Sequence, residues 1–82
     1  MNMQRGAPPD HKVREWVLEG FRTRVGAPCT AYMIRDWING SHGKLIPSKR
    51  VKEFIDEAVV EKQLEPVSIL PLSPLRYFRM PL

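Results

Sequence analysis

Apolar residues recur along this chain at two different spacings. Val13, Trp16, Val17, Gly20, Phe21 and Arg24 fall at i, i+3, i+4, i+7, i+8 and i+11. Arg14, Glu15, Glu19 and Arg22 take the opposite side, with Leu18 as one apolar exception. This spacing predicts an amphipathic helix whose stripe faces a core. Asp10 is its expected N-cap, since a carboxylate accepts the orphan N–H groups of a first turn. Gly26 and Pro28 should stop it. A second, shorter helix is predicted to open on Thr30 as cap, to bury Ala31, Ile34, Trp37 and Ile38, and to end at Asn39-Gly40. After the loop Ser41 to Pro47, Ser48 should cap a third helix. There Val51, Phe54, Ile55, Ala58, Val59 and Lys62 repeat the helical spacing. Leu64 closes that helix, and Pro66 forbids its continuation.

Beyond Pro66 the period changes. Val67 to Leu70 and Leu75 to Met80 are rich in β-branched and aromatic residues, with Pro71-Leu72-Ser73-Pro74 between them as a turn. Two short strands so joined make a hairpin, and a lone hairpin is marginal in water, so it should lie against the helices. Tyr77 and Phe78 then point to opposite faces. Residues 1–9 contain Gly6, Pro8 and Pro9 and no periodicity, which predicts a loose arm. Residues 10–82 form the single domain that 82 residues allow.

The run from Thr30 to Ile38 resembles the second helix of winged helix-turn-helix proteins, which opens on a capping Thr and packs an Ile near its middle. Pro47 to Ile55 is similar to their third, recognition helix. Leu64 to Val67 resembles the point where that helix gives way to the first wing strand. Leu75 to Met80 looks like the second wing strand, often basic and aromatic. The resemblance spans Asp10 to Met80 and implies an α+β, mainly α fold: a three-helix winged helix-turn-helix domain with a C-terminal β-hairpin wing. One departure stands out. The connection from Asn39 to Pro47 exceeds the roughly 3–4-residue turn of a simple helix-turn-helix.

Charge adds a partner to this picture. Lys and Arg number 13 against 9 Asp and Glu, a net charge of +4 that leans toward an acidic partner such as nucleic acid. On the third helix Ser48, Lys49, Arg50 and Lys52 come first, while Glu53, Asp56, Glu57 and Glu61 follow. Helix dipoles favour the reverse order. The inversion makes sense if the helix N-terminus enters a major groove, where Lys49, Arg50 and Lys52 meet phosphates or guanine O6 and N7. Lys44, Arg76 and Arg79 would then touch flanking backbone. The expectation is a sequence-specific double-stranded DNA-binding protein, a small transcriptional regulator. The plainer reading of the same residues is a solvated helix with Lys49–Glu53 and Lys52–Asp56 pairs.

A second functional class stays open. The wing tip Pro71 to Leu75 is apolar and without a cation, which suits a protein surface better than a minor groove. A winged helix can also serve as a protein-interaction module, as a subunit of a larger assembly or a phage-encoded inhibitor. A homodimer through Leu18 or the wing fits either class. Arg5 in the arm is a further candidate for a minor groove.

Several chemistries are set aside. His11, Cys29 and His42 lack the paired spacing of zinc ligands, so no metal is expected. Gly40-Ser-His-Gly-Lys44 lacks P-loop spacing and follows a helix instead of a strand. No triad or carboxylate pair stands out, so neither enzyme activity nor a cofactor is expected. Trp16, Phe21, Trp37 and Phe54 hold core-facing positions and read as packing groups. A single cysteine, no signal-type leader and no long apolar stretch predict a cytoplasmic protein without a membrane span.

Overall fold

The computed structural model describes residues 8–24, 26–68 and 75–81. Three helices lead into a small antiparallel sheet: α1 (Asp10–Arg22), α2 (Ala31–His42), α3 (Ser48–Val60), β1 (Glu65–Val67) and β2 (Tyr77–Arg79). This is a mainly helical α+β architecture with the layout of a winged helix.

The helix ends differ from the sequence expectation at several places. Pro9, not Asp10, holds the N-cap position of α1, and its carbonyl accepts the N–H groups of Lys12 and Val13 at 3.0 and 3.1 Å. Asp10 is the first helical residue, and its carboxylate is taken by Arg50 across the fold. At α2 Thr30 caps as expected: Oγ1 accepts from the Met33 N–H at 3.2 Å, and Met33 Sδ accepts from the Thr30 N–H. The helix does not end at Asn39-Gly40 but runs one turn further, to Gly43 in the left-handed region at φ 65°. Tertiary contact explains the extension, since the His42 ring stacks on Trp16 at 4.4 Å and Nε2 lies 3.1 Å from Glu19 Oε1. Pro47 precedes α3 and its carbonyl takes the N–H groups of Arg50 and Val51, so Ser48 is the first helical residue and not the cap. The helix stops at Val60, short of Leu64. Lys62 turns the chain at φ 64°, and the N–H groups of Gln63 and Leu64 reach back to the Ala58 carbonyl. This return drives Leu64 into the core.

The sheet starts earlier than the residue pattern suggested. Pro66 lies inside β1, opposite Phe78. Phe78 gives its N–H to the Cys29 carbonyl at 2.9 Å and accepts the Cys29 N–H at 2.8 Å. Its backbone groups therefore point away from β1, and the Pro66–Phe78 pair needs no N–H from proline. Cys29 thus adds a third line of chain to the sheet, which the residue pattern had not revealed. The second wing strand is shorter than Leu75 to Met80: it spans Tyr77–Arg79, with Leu75, Arg76 and Met80 outside it, and the turn Pro71 to Pro74 lies outside the described residues.

All three helices feed one core: Val13, Val17 and Phe21 from α1, Ile34 and Ile38 from α2, Val51, Phe54, Ile55 and Ala58 from α3. Cys29, Ile46, Leu64 and Phe78 close it from the connections and the sheet. Trp16 and Trp37 pack against its edge, half-buried. Gly20 marks a close approach of α1 and α2, because a Cβ there would meet Ile34 Cδ1 and Trp37 Cε3 at 3.1 Å each. Pro8 and Pro9, expected in the loose arm, are fixed by the start of α1 and by Arg50. Residues 1–7, including Arg5, lie outside the described residues.

Candidate nucleic-acid interface

Successive residues of a helix are turned by about 100°, so Arg50 and Lys52 leave α3 on nearly opposite sides. Arg50 turns toward α1. Its Nη2 donates to the Pro8 carbonyl at 2.8 Å and to Asp10 Oδ1 at 2.6 Å, with the guanidinium 5.9 Å from the Phe54 ring centroid. Arg14 reaches the same ring from α1 at 5.0 Å and pairs with Glu57 at 3.1 Å. The α1–α3 seam is therefore closed by two ion pairs around one phenyl ring. Arg79 is committed in the same way, its Nε donating to Glu65 Oε2 at 2.6 Å across the strand pair.

Lys52 faces α2. Its ammonium lies 3.4 Å from the Tyr32 hydroxyl and 5.0 Å from the ring centroid. Arg35, one turn along α2, approaches the same ring at 5.5 Å while also pairing with Asp36. Tyr32 remains 40% exposed. Arg76, exposed ahead of β2, lines one pocket with Tyr32 and Lys52. Arg35 and Lys52 thus approach one tyrosine from two helices, and Arg76 lines the pocket beside it from a third segment.

Of the seven residues singled out in the sequence, the fold brings Lys52 and Arg76 to this pocket, with Lys49 exposed one turn earlier on α3. Arg50 and Arg79 are held apart from it, each on a carboxylate. Lys44 sits half-buried in the α2–α3 connection, and Ser48 half-buried at the start of α3. Tyr32 and Arg35 were missed, although their i, i+3 spacing on α2 carried the signal. The Lys49–Glu53 and Lys52–Asp56 pairs of the plainer reading are absent among the described ion pairs.

Comparison with protein-family models, curated proteins and solved structures finds no match to this chain.

The rest of the surface limits what the cluster can do. Glu53, Asp56, Glu57 and Glu61 surround Val60, itself 80% exposed, in an open groove on the later turns of α3. Carboxylates there oppose any pose that lays the whole helix against phosphate. Gly40, Ser41 and His42 of the phosphate-loop-like segment are helical, so their N–H groups serve α2. Among the described residues no group of three or more His, Cys, Asp or Glu is arranged to hold a metal ion. Burial pushes the Cys29 thiol up from its ordinary value, against a weaker opposing pull from Arg24. No helix among the described residues is long and apolar enough to cross a membrane.

Proposed function

We propose that this chain is a double-stranded DNA-binding domain of a small cytoplasmic transcriptional regulator. The observation that carries the reading is the approach of Arg35 and Lys52, from α2 and α3, to exposed Tyr32, with Arg76 lining the pocket beside it. Cations from three elements on one face form an electrostatic footprint for a phosphate backbone, and a tyrosine hydroxyl adds a neutral donor. The first turn of α3, with Lys49 exposed, approaches the major groove end-on. The winged-helix layout supports the same pose.

The test is fluorescence anisotropy of labelled duplex DNA across a salt series. Three phosphate contacts give a log–log salt slope near about −2.7, at about 0.9 per phosphate, and removing Lys52 by Lys52→Ala lowers its size by about 0.9. A slope that is flat, or unchanged in Lys52→Ala and Arg76→Ala alike, rejects the reading. The carboxylates around Val60 favour a second reading, a module docking on a basic protein surface. It gains if DNA binding fails while Val60→Glu abolishes capture by that partner.

A further inference from the structure

The pocket beside Tyr32 has features that a run of phosphates does not use. Its volume is about 330 Å³, at the small end of ligand-sized cavities. The floor is apolar: Ile55 from α3 and Phe78 from β2, both buried. Phe78 is held rigidly there by its two backbone bonds to Cys29. Lys52 and Arg76 line the pocket as cations, and Asp56 lines it as an anion, exposed and without an ion pair to any described residue.

Each feature excludes a class of occupant. A bare phosphate would satisfy Lys52 and Arg76 but leave the apolar floor uncovered and meet repulsion from Asp56. A neutral apolar molecule would leave both cations unmatched. In a fully paired duplex the bases are stacked inside and cannot reach a floor set behind a charged rim. The set calls for a ligand with an anionic group, a flat body and an N–H donor. A nucleotide has all three in its phosphate, its base and the base's amino group. Enzymes that receive an extruded base hold it in this manner, with apolar and aromatic walls and hydrogen bonds to its edge.

We propose that this pocket accepts one unpaired nucleotide of a DNA strand. The base lies against the exposed Tyr32 ring above the apolar floor, its amino group donates to the Asp56 carboxylate, and its flanking phosphate takes Lys52 and Arg76. The proposal rests on the DNA-binding reading above and adds to it a preference for helices carrying an extrahelical or terminal unpaired base. Asp56 then has a purpose on a face otherwise suited to anions, since it discriminates against phosphate and for an amino-bearing base.

The test compares three labelled duplexes of equal length by anisotropy at fixed salt: one fully paired, one with a single bulged adenine, one with an abasic bulge at the same position. The bulged adenine is expected to bind about tenfold more tightly than the paired duplex, and the abasic bulge to lose that gain. Asp56→Ala, an exposed substitution, raises affinity for all three by removing a negative charge, so the ratio is read. The ratio of bulged adenine to the abasic bulge should fall in that variant, because the base keeps its apolar contact but loses the Asp56 acceptor. Equal binding of paired and bulged duplexes, or an abasic bulge as good as adenine, overturns the pocket proposal and leaves duplex binding standing. Absence of salt-dependent binding to every duplex overturns both. Free deoxyadenosine monophosphate competing as strongly as the bulged strand overturns the strand-borne source in favour of a free nucleotide.

Discussion

Arg50 separates a structural role from a DNA-reading one, and Arg50→Ala measures the difference. In the fold its guanidinium donates to the Pro8 carbonyl and to Asp10, at 2.8 and 2.6 Å, and lies 5.9 Å from the Phe54 ring centroid. The Arg50 side chain is 26% exposed and that of Asp10 73%, so the ion pair itself is screened and contributes at most about 1 kcal/mol. The part-buried bond to the Pro8 carbonyl and the lost apolar stem bring the total to about 2 kcal/mol. A chain of 82 residues has a total stability of about 4–12 kcal/mol at about 0.05–0.15 kcal/mol per residue, so the loss is a sizeable fraction. At about 4–8 °C per kcal/mol for a domain of this size, Tm falls by about 8–16 °C. Differential scanning fluorimetry reads that shift, and anisotropy well below the lowered Tm reads the DNA salt slope, which should match wild type. Lys52→Ala should do the reverse, with Tm nearly unchanged and the slope reduced by about 0.9. An Arg50→Ala protein with wild-type Tm and a reduced slope would refute the assignment of Arg50 to the α1–α3 seam.

Other perturbations test the scaffold. Thr30→Ala removes the acceptor of the Met33 N–H and should cost about 1 kcal/mol in urea titrations, while Thr30→Ser retains most of it. Gly20→Val places a branched side chain where even a Cβ would lie 3.1 Å from Ile34 and Trp37, and should cost about 1–3 kcal/mol by the same titration. Burial raises the Cys29 thiol, so the fold favours its neutral form. That contribution is whole below the ordinary thiol value of about 8.5 and is lost as pH rises through the higher native value. The urea midpoint of wild type should therefore drop more steeply at alkaline pH than that of Cys29→Ala, and parallel curves would refute the buried-thiol argument.

Helical periodicity carried most of the fold, because Val13, Val17, Ile34, Ile38, Val51 and Ile55 each sit on a stripe that a core must cover. Helix termini were less legible, since neighbours in space decide them. Gly40 is a good stop signal in isolation, yet the His42 contacts to Trp16 and Glu19 carry α2 past it to Gly43. Asp10 has the chemistry of a cap and is instead claimed by a guanidinium forty residues away. The candidate site suffered from the same blindness to distance. Linear order grouped Lys49, Arg50 and Lys52 as neighbours, but the helix sends Arg50 to α1 and Lys52 to Tyr32. Tyr32 and Arg35 are spaced i, i+3 on α2, and only the arrival of Lys52 from α3 gives that pair a meaning.

The charge order along α3 sets the geometry that any DNA complex of this domain must adopt. With 13 residues at about 1.5 Å each, the helix is about 20 Å long, and its exposed cations, Lys49 and Lys52, lie in its N-terminal half. Glu53, Asp56, Glu57 and Glu61 occupy the remainder of the exposed side. A helix laid along the major groove would carry these carboxylates between two phosphate walls, and like-charge contact of that kind costs several kcal/mol. End-on entry reduces the cost, because the N-terminal part of the helix, with Lys49 and Lys52, is then nearest phosphate while Arg35 and Arg76 engage the strands to either side. The same geometry shrinks the contact area toward the lower part of the roughly 600–1,000 Å² that single modules bury, too little for tight binding by one copy. The outward end of α3, with exposed Val60 ringed by carboxylates, is the surface left free in that pose. On the DNA-binding reading, useful affinity therefore requires a second contact beyond this face, through adjacent copies on the duplex or a basic protein held against that acidic end.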